Sequence, residues 1–265
     1  MLKRILLILT AFIAMQNVAT TSLLAQDTET KNLAAAAQNP LASMISLPFQ
    51  NNTTFGGTEF DALNVFNIQP VMPFKLGDSW NLITRTVLPI ISSPFGPDGQ
   101  ESGVGNTLFT GWFSPTKSIG KWTLGAGPAI NIPTASKDLF GSSQWGGGPS
   151  VVGVFMSGKW VAGGLVNNVW GFSDTKKINS FLFQYFVNYN LSNGWYLVSA
   201  PIITADWNGI DDNNWVVPFG GGFGKLMKLG KQPINFNAQY YVNVERPDSF
   251  GESTVRVQLQ FMFPK

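Results

Sequence analysis

From Ile234 onward, every second residue changes character. Ile234, Phe236, Ala238, Tyr240, Val242 and Val244 form one set, and Asn235, Asn237, Gln239, Tyr241, Asn243 and Glu245 the other. The final stretch repeats the pattern, with Val255, Val257, Leu259, Phe261 and Phe263 alternating with Arg256, Gln258, Gln260 and Met262. A period of two puts the sets on opposite faces of a β-strand. Residues 178–191 do the same: Phe181, Phe183, Tyr185, Val187, Tyr189 and Leu191 share one side. Gln184, Asn188 and Asn190 share the other with Leu182 and Phe186. Rings on one face and amides on the other suit a strand between lipid and a wetted interior.

The pattern predicts about twelve strands, near 41–50, 60–76, 80–92, 103–114, 121–133, 146–158, 159–172, 178–191, 194–205, 214–228, 232–245 and 253–263. Short connections (77–79, 115–120, 157–159, 192–194, 229–232) alternate strictly with long ones (51–59, 93–102, 134–145, 172–177, 206–213, 246–253). In an outer-membrane barrel, short turns lie at the periplasmic end and long loops outside. The predicted fold is all-β: a transmembrane up-and-down antiparallel β-barrel with both termini in the periplasm. A soluble sandwich does not require such alternation. Prolines 70, 73, 89, 128, 201 and 218 fall inside these strands, where each removes a ladder donor. The sequence offers no account of them.

Composition sharpens this picture. Charged residues are 12% and aromatics 13%, with no cysteine and no histidine. Charge is about half the globular norm, so much of the surface is expected to avoid water. Tryptophans 80, 112, 122, 145, 160, 170, 195, 207 and 215 fall near predicted strand ends, as interfacial girdles require. "MLKRILLILTAFIAM" places Lys3 and Arg4 before a short apolar run, which reads as a secretory leader over 1–25 with an approximate cleavage site. Without the leader, the 17 basic residues fall to 15 against 15 acidic, leaving no basic surplus for nucleic acid. Residues 26–40 read as a polar and alanine-rich periplasmic segment, and 41–265 as the barrel.

Several stretches resemble one family of Gram-negative outer-membrane β-barrel proteins, named for the meta-pathway of phenol degradation and described as transporters. They are "NPLASMISLPFQNN" (39–52), "NIQPVMPFKLGDSWNLITRTVLPII" (67–91), "WTLGAGPAINIPTAS" (122–136), "WGGGPSVV" (145–152), "VNNVWGF" (166–172), "WVVPFGGGFGKLMKLGKQPINFNAQYY" (215–241) and "FMFPK" (261–265). The resemblance implies a barrel in the outer membrane and says little about cargo. Members often carry a histidine where this chain has Asn168, so no histidine role carries over.

Catalytic chemistry is scarce. Barrel enzymes rely on an imidazole, and none is present, so no catalytic residue, cofactor or metal is expected. "GGGFGKL" (220–226) lacks the spacing and the Ser/Thr of a phosphate-binding loop; a glycine-rich strand packed closely by a neighbour explains it. Asp206, Asn208, Asp211 and Asp212 read as a solvated loop, although calcium favours such oxygen-rich clusters. Lys75 and Glu245 are expected at the rim. Arg85 and Arg256 are the candidate lumen charges, because a charge facing lipid at mid-depth costs about 2–4 kcal/mol. With Gln184, Asn188, Asn235, Asn237, Gln239, Gln258 and Gln260 they form the candidate lumen-facing set.

The reading is a passive channel for small, aromatic or amphiphilic solutes. Its partners are outer-membrane lipids and the barrel-insertion machinery; the solute is unknown. A non-conducting structural or surface-interaction barrel is one alternative, with a lumen filled by side chains or plugged by residues around 26–40. A soluble secreted β-sandwich is the other.

Overall fold

The computed structural model describes residues 33–56, 62–97, 99–173, 178–209 and 214–264. The leader over 1–25, its cleavage site, and Asp211 and Asp212 lie outside the described residues. Fifteen segments close into one antiparallel sheet. They are β1 (Ile45–Phe55), β2 (Leu63–Ile68), β3 (Val71–Leu76), β4 (Trp80–Gly96), β5 (Gly99–Val104), β6 (Thr107–Pro115), β7 (Trp122–Ile132) and β8 (Gly146–Ser157). Then follow β9 (Trp160–Gly171), β10 (Asn179–Asn190), β11 (Trp195–Ser199), β12 (Ile202–Asp206), β13 (Trp215–Leu229), β14 (Gln232–Glu245) and β15 (Ser253–Phe263). β2 with β3, β5 with β6, and β11 with β12 are broken halves of single strands, so the barrel has twelve. β15 pairs β1 along its whole length, and β9 pairs β10, so no edge stays open between first and last strand.

Register and burial agree on which face looks inward. Across β1 and β15, Gln50 faces Gln258, Asn52 faces Arg256 and Thr54 faces Thr254 inside the barrel. Ile45 faces Phe263 and Leu47 faces Phe261 outside. Phe49 stacks on Phe66 at 6.2 Å and meets Phe261 edge-on at 6.1 Å. Trp80, Trp122, Trp160 and Trp195 each open a strand directly after a short turn and stand exposed, forming one girdle. Trp145, Trp170, Trp207 and Trp215 gather at the other end, with Trp207 and Trp215 in contact at 5.3 Å. An apolar band between two aromatic rings is the surface of a transmembrane barrel. Outward Val257 lies near the middle of β15. Val257→Arg is therefore expected to cost about 2–4 kcal/mol, read as a lower urea midpoint for the protein refolded in lipid.

Trp112 departs from the girdle expected for it. It pairs with Ile83, and both are buried inside the barrel. Only the parity of the β4–β6 register, not proximity to a strand end, decides its side. Two expected loops are also partly strand. Residues 51–55 belong to β1, which begins at Ile45 rather than 41. The stretch 93–102 is mostly a β4–β5 hairpin turning between Gly96 and Gly99. Side-chain bonds from Gln100 and Ser102 to Ser92, and a 2.7 Å Lys137–Glu101 ion pair, hold that hairpin, so polar turn composition did not mark the end of pairing.

The in-strand prolines have a structural reason. Pro70 and Pro201 lie in the breaks between β2 and β3 and between β11 and β12. Pro218 sits at a register shift in β13. Pro89 accepts from the Gly105 amide (2.9 Å) opposite the β5–β6 break. Pro128 and Pro149 face each other, which concentrates two missing donors at one rung. Pro73 lies where β3 is paired by β4 but no longer by β1, because the chain before Ile45 turns into the lumen. A residue without an N–H is tolerated at such edges and breaks.

Candidate functional site

The lumen has two unlike walls. One is a ladder of amides and phenols. The Tyr196 hydroxyl donates to Asn235 Oδ1 (2.8 Å), and Asn235 Nδ2 to Gln260 Oε1 (3.1 Å). Gln239 Nε2 donates to Asn237 Oδ1 (2.8 Å), and the Tyr241 hydroxyl donates to Gln239 Oε1. Such buried groups must be paired, and here they pair with one another. Glycine makes room for the ladder: a Cβ on Gly224 would lie 2.1 Å from Cζ of Tyr196. Thus the glycine-rich stretch of β13 is a close-packing surface. Gly224→Val should displace the Tyr196 ring and cost about 1–3 kcal/mol, seen in thermal or urea unfolding.

The opposite wall is apolar. Ile83, Trp112, Val152, Val154, Val161, Leu165 and Phe186 form one buried cluster from β4, β6, β8, β9 and β10. Trp112 satisfies its indole N–H on Ser150 Oγ at 3.0 Å. Leu41 belongs to the same cluster although it precedes the first strand. Residues 33–38 form a helical turn at the short-turn end. Leu33, Ala34 and Met44 pack there against Leu226 and Met262. Gln38 exchanges two amide bonds with Asn190, at 2.9 and 3.1 Å. The segment before β1 therefore closes one mouth of the lumen.

Above this floor lies a cavity of about 160 Å³. Arg85, Gln184, Asn188, Asn235, Asn237, Gln239, Arg256, Gln258 and Gln260 all line it. Lys75 and Glu245 lie at strand ends, exposed. Arg85 Nη2 donates to Gln69 Oε1 (2.5 Å), and the Gln69 amide donates to the Pro48 carbonyl (2.9 Å). Arg256 Nε donates to Asn52 Oδ1 (2.7 Å) and Nη1 to the Ala200 carbonyl (2.6 Å); its guanidinium lies 5.1 Å from the Tyr241 ring centre. Gln69 and Ala200 each immediately precede a strand-breaking proline. The second break leaves the Ala200 backbone carbonyl to accept from Arg256, whereas Arg85 is met by the Gln69 side chain, whose backbone amide stays paired with Pro48. Sequence reasoning missed Gln69, Asn52 and the Ala200 carbonyl; the Gln-Pro and Ala-Pro dipeptides were the available signal.

Among the described residues no cluster of carboxylates, histidines or cysteines could hold a metal. Asp206 accepts from the Asn208 amide at 3.0 Å, which is loop geometry.

Residues 48–259 match the family model described as "Putative MetA-pathway of phenol degradation". The chain belongs to this family. No curated protein matches the sequence. Among solved structures, an outer-membrane channel from Pseudomonas putida F1 superposes with a TM-score of 0.61 at 18% identity, over 83% of this chain and 94% of that one. The NanC porin superposes with a TM-score of 0.51 at 11% identity, over 83% of this chain and 100% of that one. The likeness to both is one of fold.

Proposed function

We propose that the protein is a passive outer-membrane channel of a Gram-negative bacterium for small amphiphilic solutes. The observation that carries this reading is the cavity itself, a space inside the barrel lined by Leu165, Phe186 and Val198 as well as by amides and the two arginines. Such a space solvates both halves of an amphiphile, which neither a packed core nor a water-filled pore does. The fold shared with a channel and a porin supports the reading. Outward apolar residues contact outer-membrane lipids, and the insertion machinery for barrels delivers the chain behind its leader. No catalytic role is part of the proposal; the sequence lacks an imidazole.

The closed floor favours a second reading, a barrel that does not conduct. Planar-bilayer recording separates the two. The refolded chain should give discrete conductance steps in KCl, with its folded state verified by heat-shifted gel migration. A bilayer that contains folded protein and stays silent would move the assignment to a structural barrel.

A further inference from the structure

The two lumen arginines are not explained by conduction or by bracing alone. Both line one cavity, and no carboxylate lines it with them. Their hydrogen-bond acceptors are neutral: Gln69 for Arg85, and Asn52 and the Ala200 carbonyl for Arg256. That leaves Nε and Nη1 of Arg85 and Nη2 of Arg256 without partners among the described residues. A brace between strands needs one donor and one acceptor, which an amide supplies at no charge. Two like charges facing one cavity repel each other, and a bound anion would relieve that repulsion. A guanidinium fork matches a carboxylate in two parallel bonds. Phe186 and Leu165 line the same cavity and offer apolar contact beside the charges. Its volume, about 160 Å³, admits a body of one ring; an apolar cavity of about 150 Å³ is known to hold benzene.

We propose that Arg85 and Arg256 together bind the carboxylate of a small organic acid whose apolar body lies against Phe186 and Leu165. This rests on the channel reading and narrows its solute class to amphiphilic monoanions. Pro201 then acquires a role at the site, since its break exposes the Ala200 carbonyl that helps aim the Arg256 guanidinium.

The test uses the full mature chain refolded in uncharged detergent, titrated calorimetrically with benzoate and with benzyl alcohol, its neutral analogue. Benzoate should saturate one site and bind at least tenfold more tightly than the alcohol. Arg85→Gln and Arg256→Gln should each weaken benzoate tenfold or more and leave the alcohol unchanged, while Arg256→Lys keeps part of the preference. Equal binding of the two probes, or benzoate binding untouched by either glutamine variant, overturns the proposal. Sulfate binding as tightly as benzoate overturns the organic-acid assignment as well. If a glutamine variant fails to show the folded gel mobility, the lysine variant and the probe comparison on the parent protein decide. The channel reading fails separately: silence in bilayers with benzoate bound sinks conduction and leaves the site, whereas conductance without benzoate preference sinks the site alone.

Discussion

Replacing Leu41 by aspartate raises the single-channel conductance severalfold. Leu41 is the point at which the segment before β1 joins the lumen's apolar cluster. Burial of Leu33, Leu41 and Met44 contributes about 1.5–3 kcal/mol each, and the Gln38–Asn190 amide pair adds about 1 kcal/mol. An unpaired carboxylate in that cluster costs several kcal/mol, comparable with everything that holds the segment. The strands, by contrast, are bonded on both sides around a closed ring. The segment therefore leaves and the barrel stays. Deleting residues 33–40 should have the same result without the new charge. Recordings of both variants beside the parent, at matched insertion, check this. An unchanged conductance would show that the floor is not what limits passage.

The second large effect is on stability. Trp112→Ala should lower unfolding free energy by about 3–5 kcal/mol, the usual cost of emptying a buried tryptophan site. The site is expected to collapse poorly because its neighbours Ile83, Val152 and Val154 are anchored on strands of a closed sheet. Loss of the indole also leaves the Ser150 hydroxyl without the donor that reaches it at 3.0 Å. Trp112→Phe should cost clearly less, since the ring volume is largely kept and only the hydrogen bond goes. Urea unfolding followed by gel mobility measures both. Equal costs for the two substitutions would place the stabilisation in the hydrogen bond rather than in packing. A cost below about 1 kcal/mol for alanine would mean that water already reaches the cluster.

Much of this architecture was legible along the chain. The faces of β10, β14 and β15 follow from period-two alternation, which each strand writes locally. The girdle tryptophans after the short turns were readable for the same reason. The turns themselves are local too: Gly158 and Gly230 take φ of 58° and 62°, a left-handed backbone that glycine adopts without penalty.

Other features had no local signature. Trp112 looks like its eight fellow tryptophans in sequence, but pairing with Ile83 turns it inward. Leu41 looked like the start of a strand and is part of the floor. The β4–β5 hairpin was hidden because its polar, glycine-containing stretch continues pairing past the expected strand end. The prolines read as exceptions to strand rules, and only the broken pairing shows that they mark edges and gaps.

The sequence by itself determined that this chain folds as a barrel with an apolar outside, because alternation is a property of neighbouring residues. The content of the lumen was decided by closure. Arg85 and Arg256 lie far apart along the chain, and Gln69 and Ala200 come from different breaks. Strand pairing around the ring brings all four to one cavity, and no periodicity within a single strand encodes a meeting across the barrel.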